Sequence, residues 1–401
     1  MRYSLYINEK IWYDIKVRIF SLSEAIMKLT KLLSSAFLLI LTLITLCGCS
    51  AKMAPIDYTE LGIPTTNYFT LGTKPCCPWD LAVFDNKLFV GSGDYDNNAG
   101  PIKMFYYDLI EKEWSSAGGA NDEEISRFII LDGNLVAPGI DPRENWSFGN
   151  YYQYDPQKVH FKKNRNIPGG VHVFDLVKFD DKIIAGLGVE NGKFPAAFST
   201  DGGRCFNMLP FHKDGEAIDT SEDDFTRVYD FVVYKNELYA ILYRSFFDNT
   251  ATWEFYKYDN GKFVYYNDME MFKLKIKRTT HHYINAKAEF NEKMYFAVGG
   301  FYSSDDLINY EKIELPNTDC VTDLFVKDDA LYVLAFMQNE DGTYKISVHK
   351  SEGEGFTEIL YFNYDIPVIS FEYDGTDFYF GMGIKSAKHE LNGMILSAKY
   401  E

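Results

Sequence analysis

The sequence predicts an all-β fold, a seven-bladed β-propeller with four-stranded blades, and three observations lead to it. Apolar and polar residues alternate through residues 67–401, where Tyr, Phe, Val and Ile are frequent, and this pattern favours half-buried strands. A polar turn pair between two such segments recurs seven times, at intervals averaging about 48 residues, as expected for propeller blades. The two ends of the domain also complement each other, because each supplies strands that the other lacks.

Each repeat has an apolar segment, a polar pair such as Asp85-Asn86, and a second apolar segment that begins at a reference residue such as Leu88. Polar pairs of this kind favour tight hairpin turns. The seven hairpin segments span residues 83–90, 130–137, 178–185, 233–240, 289–296, 326–333 and 373–380.

Each unit continues with a third and a fourth strand-like segment, but the last unit ends after its third, at residues 394–398. Residues 67–71 precede the first unit and form an isolated strand-like segment. Pairing this N-terminal strand with the last blade would close the ring and remove an exposed sheet edge. We therefore expect the propeller to occupy residues 67–401.

The N-terminal region has the pattern of an export signal. A basic start at Met27, a short apolar run and small residues before a cysteine are typical of a signal peptide over residues 27–48, so residues 1–26 are interpreted as an upstream extension from a mis-assigned start. The tetrapeptide 46–49, Leu-Cys-Gly-Cys, resembles a bacterial lipobox. That resemblance implies a lipoprotein with a lipid on Cys49 and a tether over residues 49–66. An ordinary signal peptide with an incidental cysteine is the alternative.

The resemblance implies an extracytoplasmic protein anchored to a bacterial membrane, the outer membrane if the host is diderm. The formal net charge is −18 for the whole sequence, and residues 1–48 carry six basic and three acidic side chains, which leaves −21 for the rest. Such acidity argues against nucleic acid as a partner, since that requires clustered Lys and Arg. We expect a monomer. The spacing of Cys76, Cys77, Cys205 and Cys320 matches no disulfide scaffold or zinc site, and a Cys77–Cys320 bridge is left open.

Residues 199–206, Ser-Thr-Asp-Gly-Gly-Arg-Cys-Phe, resemble the Asp-box found on blades of sialidases and many other secreted propellers. Residues 258–263 are a looser copy. Physically the motif is a turn device, in which Asp caps backbone amides and Gly permits positive φ. No specific enzyme family is matched, because the early Arg-Ile-Pro motif of sialidases is absent from the sequence.

The register of the repeat also indicates candidate ligand-binding residues near one mouth of the central channel. Repeated aspartates at the starts of inner strands either contact a ligand or satisfy amides of the neighbouring blade, and Arg127 binds either a ligand or those carboxylates. Residues that occur once around the ring are stronger candidates. The candidates are Asp80, Arg127, His172, Asp175, Arg227, Asp230 and Tyr283.

Two loops on the same face add further candidates. Asp94, Asp96 and Asn98 place oxygen atoms at alternate positions, as calcium loops do, although the glycine comes one residue late. The alternatives are a calcium site and a hydrogen-bonded loop, and no other cofactor is expected. Trp146 offers either an aromatic platform for a sugar or a side chain that fills a gap under its loop.

The function that these features favour is binding of a ligand, a glycan or a protein, at the channel mouth. The first alternative is a carbohydrate-active hydrolase or lyase that uses carboxylates on the same face. The second is a scaffold for a cell-envelope complex. The sequence contains no serine-hydrolase, zinc-protease, P-loop or Cys-x-x-Cys motif, so no catalytic residue is predicted and an enzyme is the less favoured reading.

Overall fold

The computed structural model describes residues 54–64, 77–95, 98, 100–189, 194–221, 223–248, 250–269, 286–298, 300–384 and 389–400, together with Thr30. The chain divides into two units, Met1–Ala54 and Pro55–Glu401. All described strands belong to the second unit, whereas Cys49 and almost all of the expected signal peptide lie outside the described residues. Among the residues described, no helix has the length and apolar character needed to cross a membrane.

The described residues form thirty-two strands, numbered here in chain order. The first eleven are β1 (Thr59–Gly62), β2 (Asp80–Phe84), β3 (Lys87–Gly91), β4 (Ile102–Asp108), β5 (Glu113–Ala120), β6 (Asp122–Glu124), β7 (Ile129–Leu131), β8 (Asn134–Pro138), β9 (Ile140–Pro142), β10 (Phe148–Asp155) and β11 (His160–Pro168). The next eleven are β12 (His172–Phe179), β13 (Lys182–Val189), β14 (Ala196–Ser199), β15 (Asn207–Met208), β16 (Phe211–Lys213), β17 (Glu216–Ala217), β18 (Asp223–Tyr234), β19 (Glu237–Phe246), β20 (Ala251–Asp259), β21 (Lys262–Asp268) and β22 (Ala286–Phe290). The last ten are β23 (Lys293–Ala297), β24 (Phe301–Ser304), β25 (Glu311–Lys312), β26 (Cys320–Lys327), β27 (Ala330–Gln338), β28 (Tyr344–Ser351), β29 (Thr357–Tyr364), β30 (Val368–Tyr373), β31 (Asp377–Met382) and β32 (Ile395–Lys399).

Five four-stranded sheets form blades among the described strands. Their strand orders are β2-β3-β4-β5, β11-β10-β8-β7, β22-β23-β24-β25, β26-β27-β28-β29 and β1-β32-β31-β30. A sixth sheet has twelve strands, with the path β17-β16-β21-β20-β19-β18-β13-β12-β9-β6 and the additional strands β14 and β15 beside β13.

The prediction of seven four-stranded blades is therefore wrong, since the structure has five. The third and fourth sequence units merge instead of forming separate blades. β13 pairs with β18 through Gly188↔Arg227 and Val189↔Thr226, and β9 extends the same sheet by pairing with β12. A hydrophobic repeat shows only which residues alternate, so it cannot predict backbone hydrogen bonding between strands of neighbouring units.

An N-terminal strand does complete the last blade, but it is not the expected segment. β1 pairs antiparallel with β32, with Thr59 opposite Ser397 and Glu60 opposite Leu396. β1 falls inside residues 49–66, which were interpreted as a tether, so the ordered domain begins earlier than expected. Residues 67–71 lie outside the described residues.

The recurring polar pairs form the turns that the sequence predicts. Asp85 and Asn86 both have positive φ, 51° and 54°, and Lys235 and Asn236 have φ of 50° and 59°. Positive φ at both central residues is the mark of a type I′ hairpin turn, whose twist matches that of the flanking strands. The predicted hairpins at these positions are confirmed.

The core lies between neighbouring sheets, where large aromatic side chains interlock. Leu81, Leu88 and Val90 of the first blade pack with Tyr379 and Ile395 of the last blade in one buried cluster. Burial of each such side chain contributes roughly 1.5–3 kcal/mol. These contacts join the two ends of the domain.

The turn at residues 199–206 is held by its own polar groups. The Ser199 hydroxyl donates to Asp201 Oδ1 over 2.7 Å, and Asp201 Oδ1 accepts the amides of Arg204 and Cys205 at 3.0 Å each. The buried Phe206 ring anchors the turn to the core. These contacts hold the turn and fasten it to the core, which supports a structural role. Cys205 and Cys320 are free thiols, so a Cys77–Cys320 bridge does not form.

Candidate functional site

The predicted candidate residues separate into two groups that line different cavities. The first cavity lies where the inner strands of several sheets meet, has a volume of about 360 Å³, and is lined by Asp80, Arg127 and Asp175 of the candidate set. The second has a volume of about 510 Å³ and is lined by Trp146, His172 and Arg227. Tyr283 lies outside the described residues.

Three of the recurring aspartates in the first cavity connect neighbouring inner strands. Asp80 Oδ2 accepts the amide of Phe128 at 2.5 Å. Asp175 Oδ2 accepts the amide of Phe231 at 2.9 Å, and Asp323 Oδ2 accepts that of Phe371 at 3.0 Å. The acceptor and donor positions are equivalent in each case. Buried backbone N–H groups need partners, so the repeated Asp has an architectural role.

Arg127 lies in an ionic network with charged side chains of neighbouring inner strands. Its Nη1 is 2.9 Å from Asp175 Oδ2 and its Nη2 is 2.8 Å from Asp230 Oδ1. Lys287 also contacts Asp230, and its Nζ is 3.8 Å from Asp175 Oδ2. The network joins three inner strands. Sequence reasoning missed Lys287, because the residue counted as equivalent in its unit was the adjacent Ala286.

On the other side of this first cavity, the charges of Arg127 near Asp80 and of Lys327 near Glu372 offset only part of the cost of burying the acidic side chains. Burial is the main cause that raises the pKa of Asp80 to about 6 and that of Glu372 to about 7. The pKa of Asp323 is raised as well, by burial first and then by the charge of Asp80. Protonation relieves the cost of burying several like charges together.

The second cavity lies on the twelve-stranded sheet, where the strand register aligns its residues. Ile140 is opposite His172, His172 is opposite Gly188, and Gly188 is opposite Arg227. Directly opposed residues share one face of a sheet. His172 and Arg227 therefore flank a glycine on one face, two strand spacings or about 10 Å apart. Because Gly188 has no side chain, the His172 and Phe174 rings can pack directly over its backbone, within 2.6 Å and 2.9 Å of where a Cβ would lie.

Aromatic rings fix Arg227 in place. Its guanidinium carbon is 4.3 Å from the ring centre of Phe225, 5.7 Å from that of Phe174 and 5.8 Å from that of Tyr229. Its Nη1 also donates to the Tyr229 hydroxyl over 2.9 Å. Cation–π contacts of this kind orient the guanidinium group of an arginine. The result is a pre-oriented cation at the cavity wall.

Asp141 and Asp224 are the acidic residues of this cavity, and sequence reasoning did not single them out as contacts. Asp141 has a left-handed backbone, with φ of 62°. Burial is the first cause that raises its pKa to about 6; the charge of Glu123 adds to this and that of Arg227 opposes it. Perturbed carboxyls in clefts are frequent at functional sites. Asp141 belongs to the same loop as Trp146, which the sequence had already indicated as a candidate, and this is the signal that could have identified it.

Trp146 lines the cavity with 51% of its surface exposed. A side chain that filled a gap under its loop would be buried, so this exposure favours the platform alternative. Phe225 lines the same cavity and stacks on Arg227. Apolar ring faces beside charged groups are the surfaces that pyranose rings contact in proteins.

Comparisons with known proteins bear on the fold alone. No family model matches the chain, and no curated protein matches it. A chain of the crystal structure of the mitotic checkpoint complex aligns at a TM-score of 0.51 and 9% identity, over 88% of this chain and 94% of that one. The β-propeller domain of the trilobed protease from Pyrococcus furiosus has a TM-score of 0.47 at 11% identity, over 82% and 98% of the two chains. A putative 6-phosphogluconolactonase from Bacteroides fragilis has 0.43 at 13%, over 75% and 88%.

The chain is a β-propeller. At these identities the similarity shows the fold and carries no activity with it, since one fold hosts many functions. The function must therefore be argued from the cavities of this propeller.

The predicted calcium loop is only partly described. Asp94 is buried and its amide donates to the Glu123 carbonyl over 3.1 Å, Asn98 is exposed, and Asp96 lies outside the described residues. Within the described part of the propeller, no group of three or more His, Cys, Asp or Glu side chains is arranged to hold a metal ion. The calcium interpretation stays a prediction without structural support.

Proposed function

We propose that this propeller binds a glycan in the second cavity, between Trp146 and Arg227. The observation that carries the proposal is that several candidate residues lie together in one cavity. Trp146, chosen for its loop, and His172 and Arg227, both chosen because they occur once in the repeat register, line one cavity of about 510 Å³. Pockets of about 300–1,000 Å³ with a few convergent polar groups are typical of small-ligand sites.

The chemistry of the lining supports a saccharide. The exposed Trp146 ring offers a flat apolar face, Arg227 offers fixed N–H donors, and Asp141 and Asp224 offer oxygen atoms toward hydroxyl groups. Hydrogen bonds with a charged partner are stronger than neutral ones. A ligand with both an apolar ring face and many hydroxyls matches this mixture better than a purely apolar molecule.

We also propose that the protein acts outside the cytoplasm, anchored by a lipid on Cys49. The lipobox-like sequence at residues 46–49 supports the anchor. The net charge of −18 argues against nucleic-acid partners. A surface-exposed propeller held by a lipid would present its cavity to envelope or environmental glycans.

A second candidate function is glycoside cleavage, because two carboxylates line the same cavity. Asp141, whose pKa is raised to about 6, suits a general acid, and Asp224 is the partner that a glycosidase would need. Turnover that is lost in Asp141→Asn while binding persists would establish this function.

The test is a glycan-array and polysaccharide-turnover screen on the purified protein, followed by affinity measurement on variants. Trp146→Ala and Arg227→Met should weaken binding of any hit, whereas the controls Phe247→Ala and Arg204→Met, at exposed positions outside the cavity lining, should not. Equal affinity in all four variants would place the glycan elsewhere. Absence of both binding and product, with a protein co-purifying instead, would favour the scaffold.

A further inference from the structure

We propose that Arg165 is a positioning residue of the second cavity: it holds the loop that carries Trp146, so that the indole ring is already in place when a glycan arrives. Arg165 itself lies outside the lining of that cavity, and it would act through Trp146. The inference rests on the proposed function, because the position of the ring matters to binding only if a glycan enters this cavity.

The Trp146 loop, residues 143–147, connects β9 to β10. β9 belongs to the twelve-stranded sheet, where its residue Asp141 lines the second cavity, and β10 belongs to a four-stranded blade beside β11. The loop residues themselves lie outside any strand. Backbone groups that are not paired within a sheet need other partners, so the conformation of this loop depends on the contacts that side chains supply.

Arg165 on β11 supplies such contacts directly beside the tryptophan. Its Nη2 donates to the Asn145 carbonyl over 2.6 Å and to Asn145 Oδ1 over 2.8 Å. Its guanidinium carbon also lies 5.7 Å from the centre of the Phe148 ring. A planar guanidinium group can reach several acceptors and a ring face at once, as a lysine ammonium group cannot. The arginine therefore contacts the chain both before and after Trp146.

A second set of contacts supports the same loop conformation. The Ser147 amide donates to Asn145 Oδ1 over 3.2 Å, so the oxygen that the guanidinium group contacts also fixes the backbone after the tryptophan. Lys163, on the same strand as the arginine, forms an ion pair with Glu144. Two cations of β11 thus hold two successive residues of the loop.

The exposure of the indole ring explains why these contacts matter for binding. Trp146 has half of its surface exposed, so burial alone does not fix its position. A side chain and a loop that become ordered only when a ligand binds reduce the affinity, whereas a loop ordered beforehand avoids this cost. Loss of the Arg165 contacts should therefore loosen the ring and weaken binding, although no contact with the sugar is removed.

The first measurement needs no glycan: it is the NMR order parameter of the Trp146 backbone amide in protein labelled with nitrogen-15 tryptophan, assigned by the loss of the signal in Trp146→Phe. We expect about 0.85 in the wild type, as for a rigid backbone, and below about 0.6 in Arg165→Met, as for a flexible one. Lys213→Met is the matched control, because Lys213 also pairs with a carboxylate, Glu254, and lies 4.0 Å from the centre of the Tyr265 ring. It should leave the order parameter unchanged.

The second measurement is a double-mutant cycle on affinity, made by calorimetry with the oligosaccharide that gives the strongest signal on the glycan array. Arg165→Met should weaken binding about fivefold, or ~1 kcal/mol. In a Trp146→Ala background the same change should add nothing, since a positioning residue acts only through the ring that it positions. Equal losses in both backgrounds, which a direct contact between Arg165 and the sugar would give, would overturn the proposal.

A rigid Trp146 amide in Arg165→Met would also overturn the proposal, and it would leave the proposed glycan binding standing. If Arg165→Met does not fold, Asn145→Ala decides, because it removes the oxygen that both Arg165 and the Ser147 amide contact: an order parameter below about 0.6 supports the proposal and a rigid value refutes it. If no oligosaccharide binds the wild type, the proposed function fails and the role of Arg165 in binding fails with it, while the order parameter still shows whether Arg165 holds the loop.

Discussion

Replacing Arg127 by methionine should cost the propeller a large part of its stability, because the change leaves two buried carboxylates without their main counter-ion. The side chains of Asp175 and Asp230 are 7% and 2% exposed, and that of Arg127 is 14% exposed. Removal of one partner from a buried ion pair typically costs about 3–5 kcal/mol. Lys287 stays close to both carboxylates, so we expect a loss near the lower end of that range.

The assay is urea unfolding at neutral pH, followed by tryptophan fluorescence. Lys158→Met is the matched control, since the Lys158 ion pair with Asp155 is exposed, with 77% of the lysine side chain accessible, and exposed pairs contribute about 0–1 kcal/mol. The double variant Arg127→Met/Lys287→Met should lose more than the sum of the two single losses, because each cation partly compensates for the loss of the other at the same carboxylates. A loss below about 1 kcal/mol for Arg127→Met would refute the view that this network joins the inner strands.

Three further predictions concern the channel and the cavity. Burial raises the pKa of Glu372 to about 7 in the folded protein, above its ordinary 4.5, so its contribution to stability is complete below about pH 4.5 and is lost as the pH rises through 7. Glu372→Gln should therefore flatten the fall in unfolding free energy over that pH range, as measured by urea titrations at several pH values. An equally steep fall in the variant would contradict the assignment. Trp146→Ala should weaken glycan binding about tenfold, or ~1.4 kcal/mol, with an unchanged melting temperature because the ring is half exposed. If the ring were a core residue, calorimetry would show unchanged binding and thermal scans would show a lower melting temperature. Gly188→Ala places a Cβ 2.6 Å from His172 Cδ2 and 2.9 Å from Phe174 Cε2, so it should displace His172 and abolish binding, and unimpaired affinity would show that the cavity floor is not the binding surface.

The local features of the fold were predictable because they depend on neighbouring residues. Alternation identified the strands, and pairs such as Lys235-Asn236 identified turns whose central residues do have positive φ. The blade count failed because it depends on which strand edges meet. The pairing of Val189 with Thr226 joins two units into one sheet, and nothing in either residue's local pattern signals that contact.

The candidate site was predictable to a similar extent. His172 and Arg227 stood out because they occur once in a repeated register, and both reached the cavity. Asp141 and Asp224 did not stand out, since a sequence with 58 acidic residues gives no reason to prefer one carboxylate. Their roles come from register and burial, which only the folded chain supplies.

The error in the blade count and the placement of His172 and Arg227 in one cavity have one physical cause. Because β13 pairs with β18, a single cross-strand row runs through His172, Gly188, Arg227, Tyr243 and Trp253. Separate blades would end that row at β13 and leave His172 and Arg227 on different sheets. The merged sheet instead sets them on one face, on either side of a glycine, with the aromatic rings of the row supporting the arginine. The departure from blade symmetry is thus what builds the cavity.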